Sequence, residues 1–185
     1  MTDANPAGER PAFILIWGVS GAGKSRYCKW LARRGYVYLD NDTIAQRMAD
    51  RTADALERRW MSTHVGETAP EDFARSIAAE QVVVEFGARP DDRALALLRR
   101  LISLGASAWW FDGDRIAALA SWLDRDVPVP AEYWHIQTTA VEAAWPRIAD
   151  ILRSRIVRTI GPKRAYLPEV HLDRLMFGDL ADQIE

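Results

Sequence analysis

Short apolar runs alternate along the chain with longer stretches in which apolar residues recur every three or four positions. The run FILIW, residues 13–17, is continuous, which is typical of a central strand buried on both faces. A spacing of three or four residues is instead typical of a helix with one buried side. Five runs predict strands, at residues 13–17, 36–40, 81–86, 107–112 and 155–160.

Helical patterns occupy the intervals between the predicted strands. They predict helices at residues 25–34, 42–61, 68–79, 90–104, 115–123 and 136–152. We expect a capping box, Thr68 to Glu71, at the start of the third helix and a break near Pro146 in the last. Strands separated by helices require right-handed crossovers. The sequence therefore predicts an α/β fold, with a doubly wound, five-stranded parallel sheet and helices on both faces.

Length and composition indicate one domain. A chain of 185 residues with a 49% apolar share can form one compact core but is short for two. Residues 1–11 are polar and rich in turn formers. We therefore expect a flexible N-terminal tail, followed by a single domain over residues 12–185.

The charge balance limits the expected partners. The chain has 24 basic and 26 acidic side chains, a formal net charge of −2. Such a surface has no long-range attraction for nucleic acid or for an anionic membrane, so we expect neither as a partner. The single cysteine, Cys28, cannot form an internal disulfide, and the first residues lack the pattern of a secretory signal. We expect a cytoplasmic monomer or homodimer that acts on a small molecule.

The stretch IWGVSGAGKS, residues 16–25, matches the P-loop pattern G-x-x-x-x-G-K-[ST]. It follows a predicted strand and begins a predicted helix, as a P-loop must. In such a loop the backbone N–H groups converge on phosphate oxygens, Lys24 reaches the β- and γ-phosphates, and Ser25 is a Mg²⁺ ligand. ATP and Mg²⁺ are therefore the predicted cofactors. The predicted nucleotide contacts are Gly18, Val19, Ser20, Gly21, Ala22, Gly23, Lys24 and Ser25.

Two aspartates follow the second predicted strand, in the stretch YLDNDT. Asp40 and Asp42 are expected at the carboxyl edge of the sheet, where ligands bind in open α/β folds. Side chains two positions apart on an extended segment point the same way. We expect Asp40 to hold Mg²⁺ through water and Asp42 to accept a hydrogen bond from an attacking hydroxyl group. The alternative is that Asp42 only caps the following helix.

The glycine-rich loop and the Asp-x-Asp pair resemble those of small P-loop kinases of metabolites, particularly the gluconate kinase and shikimate kinase group. The resemblance spans about residues 13–137 and implies a nucleotide-kinase-like P-loop fold with a short lid. Residues 109–137, WWFDGDRIAALASWLDRDVPVPAEYWHIQ, are similar to a gluconate kinase segment in which an arginine opens the lid and a glutamine follows it. This implies a lid at about 124–135, with Arg125 closing over the transferring phosphate and Gln137 near the substrate.

Other polar residues allow two interpretations. Arg89 and Arg93 could bind an anionic group of the substrate or could be exposed surface arginines, and Glu85 could order a metal-bound water or face solvent. "DGD", residues 112–114, is predicted to be turn and cap chemistry. The predicted function is transfer of the γ-phosphate of Mg·ATP to a hydroxyl of a small metabolite, such as a sugar acid. Two alternatives stay open: a polynucleotide 5′-hydroxyl or toxin-like nucleotide-sugar kinase, and a nucleotide-binding regulatory module without transfer activity.

Overall fold

The fold is a parallel sheet whose strands are joined through helices. The computed structural model describes residues 10–87, 89–124, 130–162 and 165–178. In these ranges the strands are β1 Phe13–Gly18, β2 Val37–Asp40, β3 Val82–Glu85, β4 Ser107–Gly113 and β5 Ile156–Ile160. They pair in parallel in the order β2-β3-β1-β4-β5. The predicted α/β architecture with five parallel strands is confirmed.

Helices cover the sheet. Within the described ranges they are α1 Lys24–Ala32, α2 Asn41–Ala49, α3 Ala55–Val65, α4 Pro70–Ser76, α5 Asp92–Ser103, α6 Arg115–Leu123, α7 Ala131–Leu152 and α8 Glu169–Phe177. Helix α1 packs against α8, whereas α5 packs against α7 and both contact β4. None of the helices in the described part of the chain combines the length and apolar character that a bilayer crossing requires.

The central strands are buried on both faces, as their apolar runs predict. Ile14, Leu15 and Ile16 of β1 have no exposed surface, and neither do the three valines at 82–84 in β3. All strands run in the same direction, so the carboxyl ends of β1, β2 and β3 lie at one edge of the sheet. The segments that follow these strands meet there.

The segment at 42–61, predicted as one helix, forms two. Helix α2 ends at Ala49, and α3 begins after Asp54, which forms a capping box with Glu57. Arg51 lies between them with φ 58°, a backbone conformation that cannot continue a right-handed helix. The predicted single helix is therefore divided where the capping box starts α3, although an approximate apolar stripe runs through both segments.

Two predictions about prolines are wrong. The predicted capping box at Thr68 does not form, because α4 begins after Ala69 with Pro70 in its first turn and no side-chain cap. Proline suits that position because the missing N–H has no partner inside the helix.

The predicted break near Pro146 is also absent, since α7 is continuous through it. Ala144 and Ile148, on either side of the proline, are buried, and this packing holds the helix across it. Helix α8 was not predicted.

Candidate active site

The loop between β1 and α1 has a backbone that only glycine adopts easily. Gly18, Gly21 and Gly23 have φ values of 146°, 87° and 81°. A Cβ atom at Gly18 would lie 2.1 Å from the carbonyl oxygen of Phe111, and one at Gly21 would lie 2.0 Å from that of Ala118. Gly18 and Gly21 are therefore required both by conformation and by close backbone contact, and Gly23 by its conformation.

Every carbonyl group from Val19 to Gly23 accepts a hydrogen bond from the protein. The donors are Ala22 N and Lys24 Nζ to Val19, Trp134 Nε1 to Ser20, the Tyr166 hydroxyl to Gly21, Thr159 Oγ1 to Ala22 and Tyr27 N to Gly23. By contrast, the N–H groups of Ser20, Gly21 and Gly23 donate to no protein atom in the described ranges. The loop thus has its acceptors satisfied and several donors available, which is the requirement for binding an anion.

Lys24 and Ser25 begin α1 beneath the loop. The Lys24 side chain is buried, and its Nζ donates to Val19 O at 3.2 Å. The Ser25 hydroxyl donates to Glu85 Oε1 at 3.0 Å. The other Glu85 oxygen accepts the Tyr38 hydroxyl at 2.5 Å, and burial together with this carboxylate raises the pKa of Tyr38. Glu85 is buried at the end of β3, so its carboxylate is held firmly beside Ser25.

The oxygen atoms of this region suit Mg²⁺. Ser25 contributes a hydroxyl, whereas Glu85 and Asp40 contribute carboxylates, and both acids line one cavity. Among the described residues no group of three or more His, Cys, Asp and Glu side chains forms a metal cage. The hydroxyl and the two carboxylates fit Mg²⁺, which keeps several waters and is commonly held by one or two carboxylates and the substrate phosphates. The sequence left Glu85 open between ordering a metal-bound water and facing solvent, and in the structure its side chain is buried beside Ser25 rather than facing solvent.

Asp40, rather than Asp42, caps α2. Its carboxylate accepts the backbone N–H groups of Asp42 and Thr43, each at 3.3 Å, and the Thr43 hydroxyl at 2.5 Å. Asp42 lies in the first turn of α2, not on an extended segment as assumed, and its exposed carboxylate has no hydrogen-bond donor in the described part of the chain. The capping role considered for Asp42 thus belongs to Asp40, and the Asp42 carboxylate stays available.

A cavity of about 290 Å³ lies at this edge of the sheet. It brings together eight of the predicted site residues: Gly18, Val19, Ser20, Lys24, Asp40, Asp42, Arg89 and Gln137. Gly21, Ala22, Gly23 and Ser25 do not line it, although Ser25 reaches its wall through Glu85. Arg125 lies outside the described residues, as do 126–129 of the predicted lid. The described end of that lid, from Ala131, is the first turn of α7.

Helix α7 contacts the loop directly. Gln137 accepts a hydrogen bond from the Ser20 hydroxyl, and Trp134 Nε1 donates to the Ser20 carbonyl at 2.9 Å. Gln137 also lines the cavity, together with Trp122 from α6. The helix that follows the predicted lid segment is therefore joined to the loop at Ser20.

A second cavity of about 280 Å³ shares part of its lining with the first. Both are lined by Arg89, and the second also by His64 and Arg93. Trp60 Nε1 donates to Asn41 Oδ1 at 2.6 Å, so the Asn41 amide nitrogen faces His64 Nε2 at 3.1 Å. Burial, with the nearby charge of Arg93, lowers the pKa of His64. The lowered pKa favours the neutral imidazole, whose Nε2 can accept a hydrogen bond from the Asn41 amide. Sequence reasoning singled out neither Asn41 nor His64.

Solved structures of small-molecule kinases have the same fold. The chain is similar to a gluconokinase from Sinorhizobium meliloti 1021, with 20% identity, a TM-score of 0.55, and coverage of 94% of this chain and 93% of the other. It is also similar to the shikimate kinase from Acinetobacter baumannii in complex with shikimate, with 16% identity, a TM-score of 0.55, and coverage of 95% and 96%. No protein-family model and no curated protein sequence matches the chain. The predicted resemblance to the gluconate and shikimate kinases is confirmed at the level of the fold.

Proposed function

We propose that this protein is an ATP-dependent phosphotransferase that moves the γ-phosphate of Mg·ATP to a hydroxyl group of a small metabolite, such as a sugar acid. One observation carries the proposal. A single cavity is lined by Lys24 and P-loop residues, by Arg89, and by Asp42, whose exposed carboxylate takes no part in capping α2. Phosphate-binding groups and a candidate base for an acceptor hydroxyl therefore share one space.

The P-loop end suits the triphosphate. The amide groups of the loop would bind phosphate oxygens, and Lys24 would contribute a charge-assisted hydrogen bond to them. Ser25, Glu85 and Asp40 would hold Mg²⁺, directly or through water. When bound, the ion neutralises negative charge on the phosphate oxygens. Buried Glu85, fixed by Tyr38 and Ser25, keeps this oxygen-donor set in place.

Two other lining residues, Asp42 and Arg89, suit the acceptor. Asp42 would accept the proton of the acceptor hydroxyl, because its carboxylate takes no part in capping α2. Arg89 is exposed and has no carboxylate partner in the described part of the chain, so it can bind an anionic group of the acceptor. Arg125 keeps the role that the family resemblance implies: closing over the transferring phosphate.

A screen of acceptors tests the proposal. ADP formation from Mg·ATP would be measured with sugar acids, polyols, nucleosides and short oligonucleotides. We expect small hydroxylated anions to be the best acceptors, because Arg89 lines the cavity. Turnover with oligonucleotides alone would favour the polynucleotide kinase. ATP binding without consumption by any acceptor would favour the regulatory module.

Asp42→Asn separates catalysis from nucleotide binding. We expect the affinity for Mg·ATP to stay within a few-fold, while phosphate transfer falls by about 10²-fold or more, the scale for losing a general base. The matched control is Asp72→Asn, which changes another exposed acid in the first turn of a helix, outside the cavity lining. Near-normal transfer by Asp42→Asn, or an equal loss in the control, would contradict the assigned base.

A further inference from the structure

Tyr166, on the segment between β5 and α8, contacts the P-loop at Gly21 and Gly23. Its hydroxyl donates to the Gly21 carbonyl at 2.7 Å. Its ring packs on Gly23, where an added Cβ atom would lie 2.8 Å from the ring carbon Cε1. Both loop residues that Tyr166 contacts here are glycines whose backbones have positive φ.

The surroundings hold the Tyr166 ring in one position. The Arg26 guanidinium lies 5.3 Å from the ring centroid, and it forms an ion pair with Glu169 at 2.7 Å. Tyr166 also forms an antiparallel bridge with Ile160 at the end of β5. Ring and backbone are therefore fixed by α1, α8 and β5 together, which places the hydroxyl at the Gly21 carbonyl.

The hydrogen bond to Gly21 controls the direction of a whole peptide unit. The unit that carries the Gly21 carbonyl also carries the Ala22 N–H group, which donates to Val19 O at 3.1 Å. Tyr166 and Val19 thus hold this peptide plane from opposite ends. Because the plane is rigid and Gly21 is conformationally permissive, loss of one end allows the unit to turn. Turning it would alter the directions of the neighbouring amides of Gly21 and Gly23.

We propose that Tyr166 is a positioning residue of the phosphate cradle, which pre-orients the loop amides for the nucleotide without touching it. The inference rests on the proposed function only in requiring that the cradle binds Mg·ATP. When a binding-competent state is only partly populated, the apparent affinity falls by that fraction. A nucleotide that has bound restores the competent loop. Loss of the hydroxyl is therefore expected to raise Kd and KM for Mg·ATP and to leave kcat nearly unchanged.

Tyr166→Phe tests this inference, because it removes the donor and keeps the ring against Gly23. One neutral hydrogen bond corresponds to a change in affinity of about 3- to 10-fold, so we expect Kd for Mg·ATP to rise by that factor in calorimetry without an acceptor. Amide hydrogen exchange of residues 18–25 should also be faster in the nucleotide-free variant.

The matched control is Tyr36→Phe. Tyr36 also donates its hydroxyl to a backbone carbonyl, that of Pro11 at 2.8 Å, but it precedes β2 at the opposite edge of the sheet. We expect this variant to keep the wild-type Kd for Mg·ATP and the wild-type exchange of residues 18–25.

Three results would overturn the inference: an unchanged Kd in Tyr166→Phe, an equal loss of affinity in Tyr36→Phe, or a wild-type protein that does not bind Mg·ATP. Because these measurements use no acceptor, they are independent of phosphate transfer. Failure to find an acceptor would contradict the proposed phosphotransferase activity and would leave the role of Tyr166 supported by binding.

Discussion

Gly21→Ala should disrupt the phosphate cradle more than it lowers stability. Gly21 has φ 87°, and an added Cβ atom would lie 2.0 Å from the Ala118 carbonyl oxygen. A separation below 3.0 Å is essentially never observed for real Cβ atoms, so the backbones must move apart by at least 1.0 Å, the difference between these two distances. Ala118 lies in α6 and is fully buried. The loop, rather than the helix, is therefore expected to move.

The size of the effect follows from this displacement. An alanine with left-handed backbone costs about 1–2 kcal/mol, partly offset by a less flexible unfolded chain. A shift of about 1 Å in a reacting group's position can lower a rate by about 10²-fold. We therefore expect Gly21→Ala to lose about 10²-fold in phosphate transfer and to bind Mg·ATP at least several-fold more weakly.

Gly35→Ala is the matched control, because Gly35 has φ 97° and an added Cβ would have no close neighbour within 4 Å among the described residues. The Gly35→Ala variant should reproduce the strain of an alanine at positive φ without displacing the loop that carries Gly21. We expect its free energy of unfolding to fall by about 1 kcal/mol, or about 2–4 °C in Tm, with normal Mg·ATP affinity. Thermal unfolding and calorimetry measure both quantities. Unchanged Mg·ATP affinity in Gly21→Ala, or an equal loss in Gly35→Ala, would refute the reasoning.

Two further predictions concern buried polar groups. Glu85→Gln should raise the Mg²⁺ concentration needed for nucleotide binding, because an amide is a weaker partner for the ion and its waters than a carboxylate. An unchanged Mg²⁺ titration of nucleotide binding would contradict this prediction. Burial lowers the pKa of His64 from its ordinary 6.5, so its contribution to stability is present above about pH 6.5 and is lost as the pH falls through the lowered pKa. His64→Gln should therefore lessen the loss of stability between pH 7 and pH 5, measured by urea unfolding at each pH; a loss equal to that of the wild type would contradict this prediction.

Local patterns predicted the sheet better than the helix boundaries. Each strand core was predicted from an apolar run, and for β1 and β3 the continuous run also predicted burial on both faces. The break between α2 and α3 could have been read from Asp54 and Glu57, which have the spacing of a capping box. The continuity of α7 through Pro146 could not have been predicted from the sequence, because it depends on the packing of this helix against α5 and β4.

At the candidate site, too, part of the arrangement could be predicted from the sequence and part depends on the tertiary structure. The order of Asp40 and Asp42 in the chain predicted that both would lie at the carboxyl edge of the sheet. Which of them caps α2 depends on the geometry of the strand end, where Asp40 turns toward the first free N–H groups of the helix. Glu85 gains its position beside Ser25 only because β3 lies next to β1.

By itself, the sequence determined a glycine-rich loop between a buried strand and a helix, and predicted that this loop binds phosphate. The loop could be predicted because it depends only on residues adjacent in the sequence: glycine permits positive φ wherever it occurs. Only the tertiary structure decided how the loop is held. The donors to the carbonyls of Ser20, Ala22 and Gly21 come from residues 114, 137 and 145 positions away. Such distant hydrogen bonds leave no local pattern, because they exist only after the sheet has brought β5, α7 and the segment after β5 to the loop.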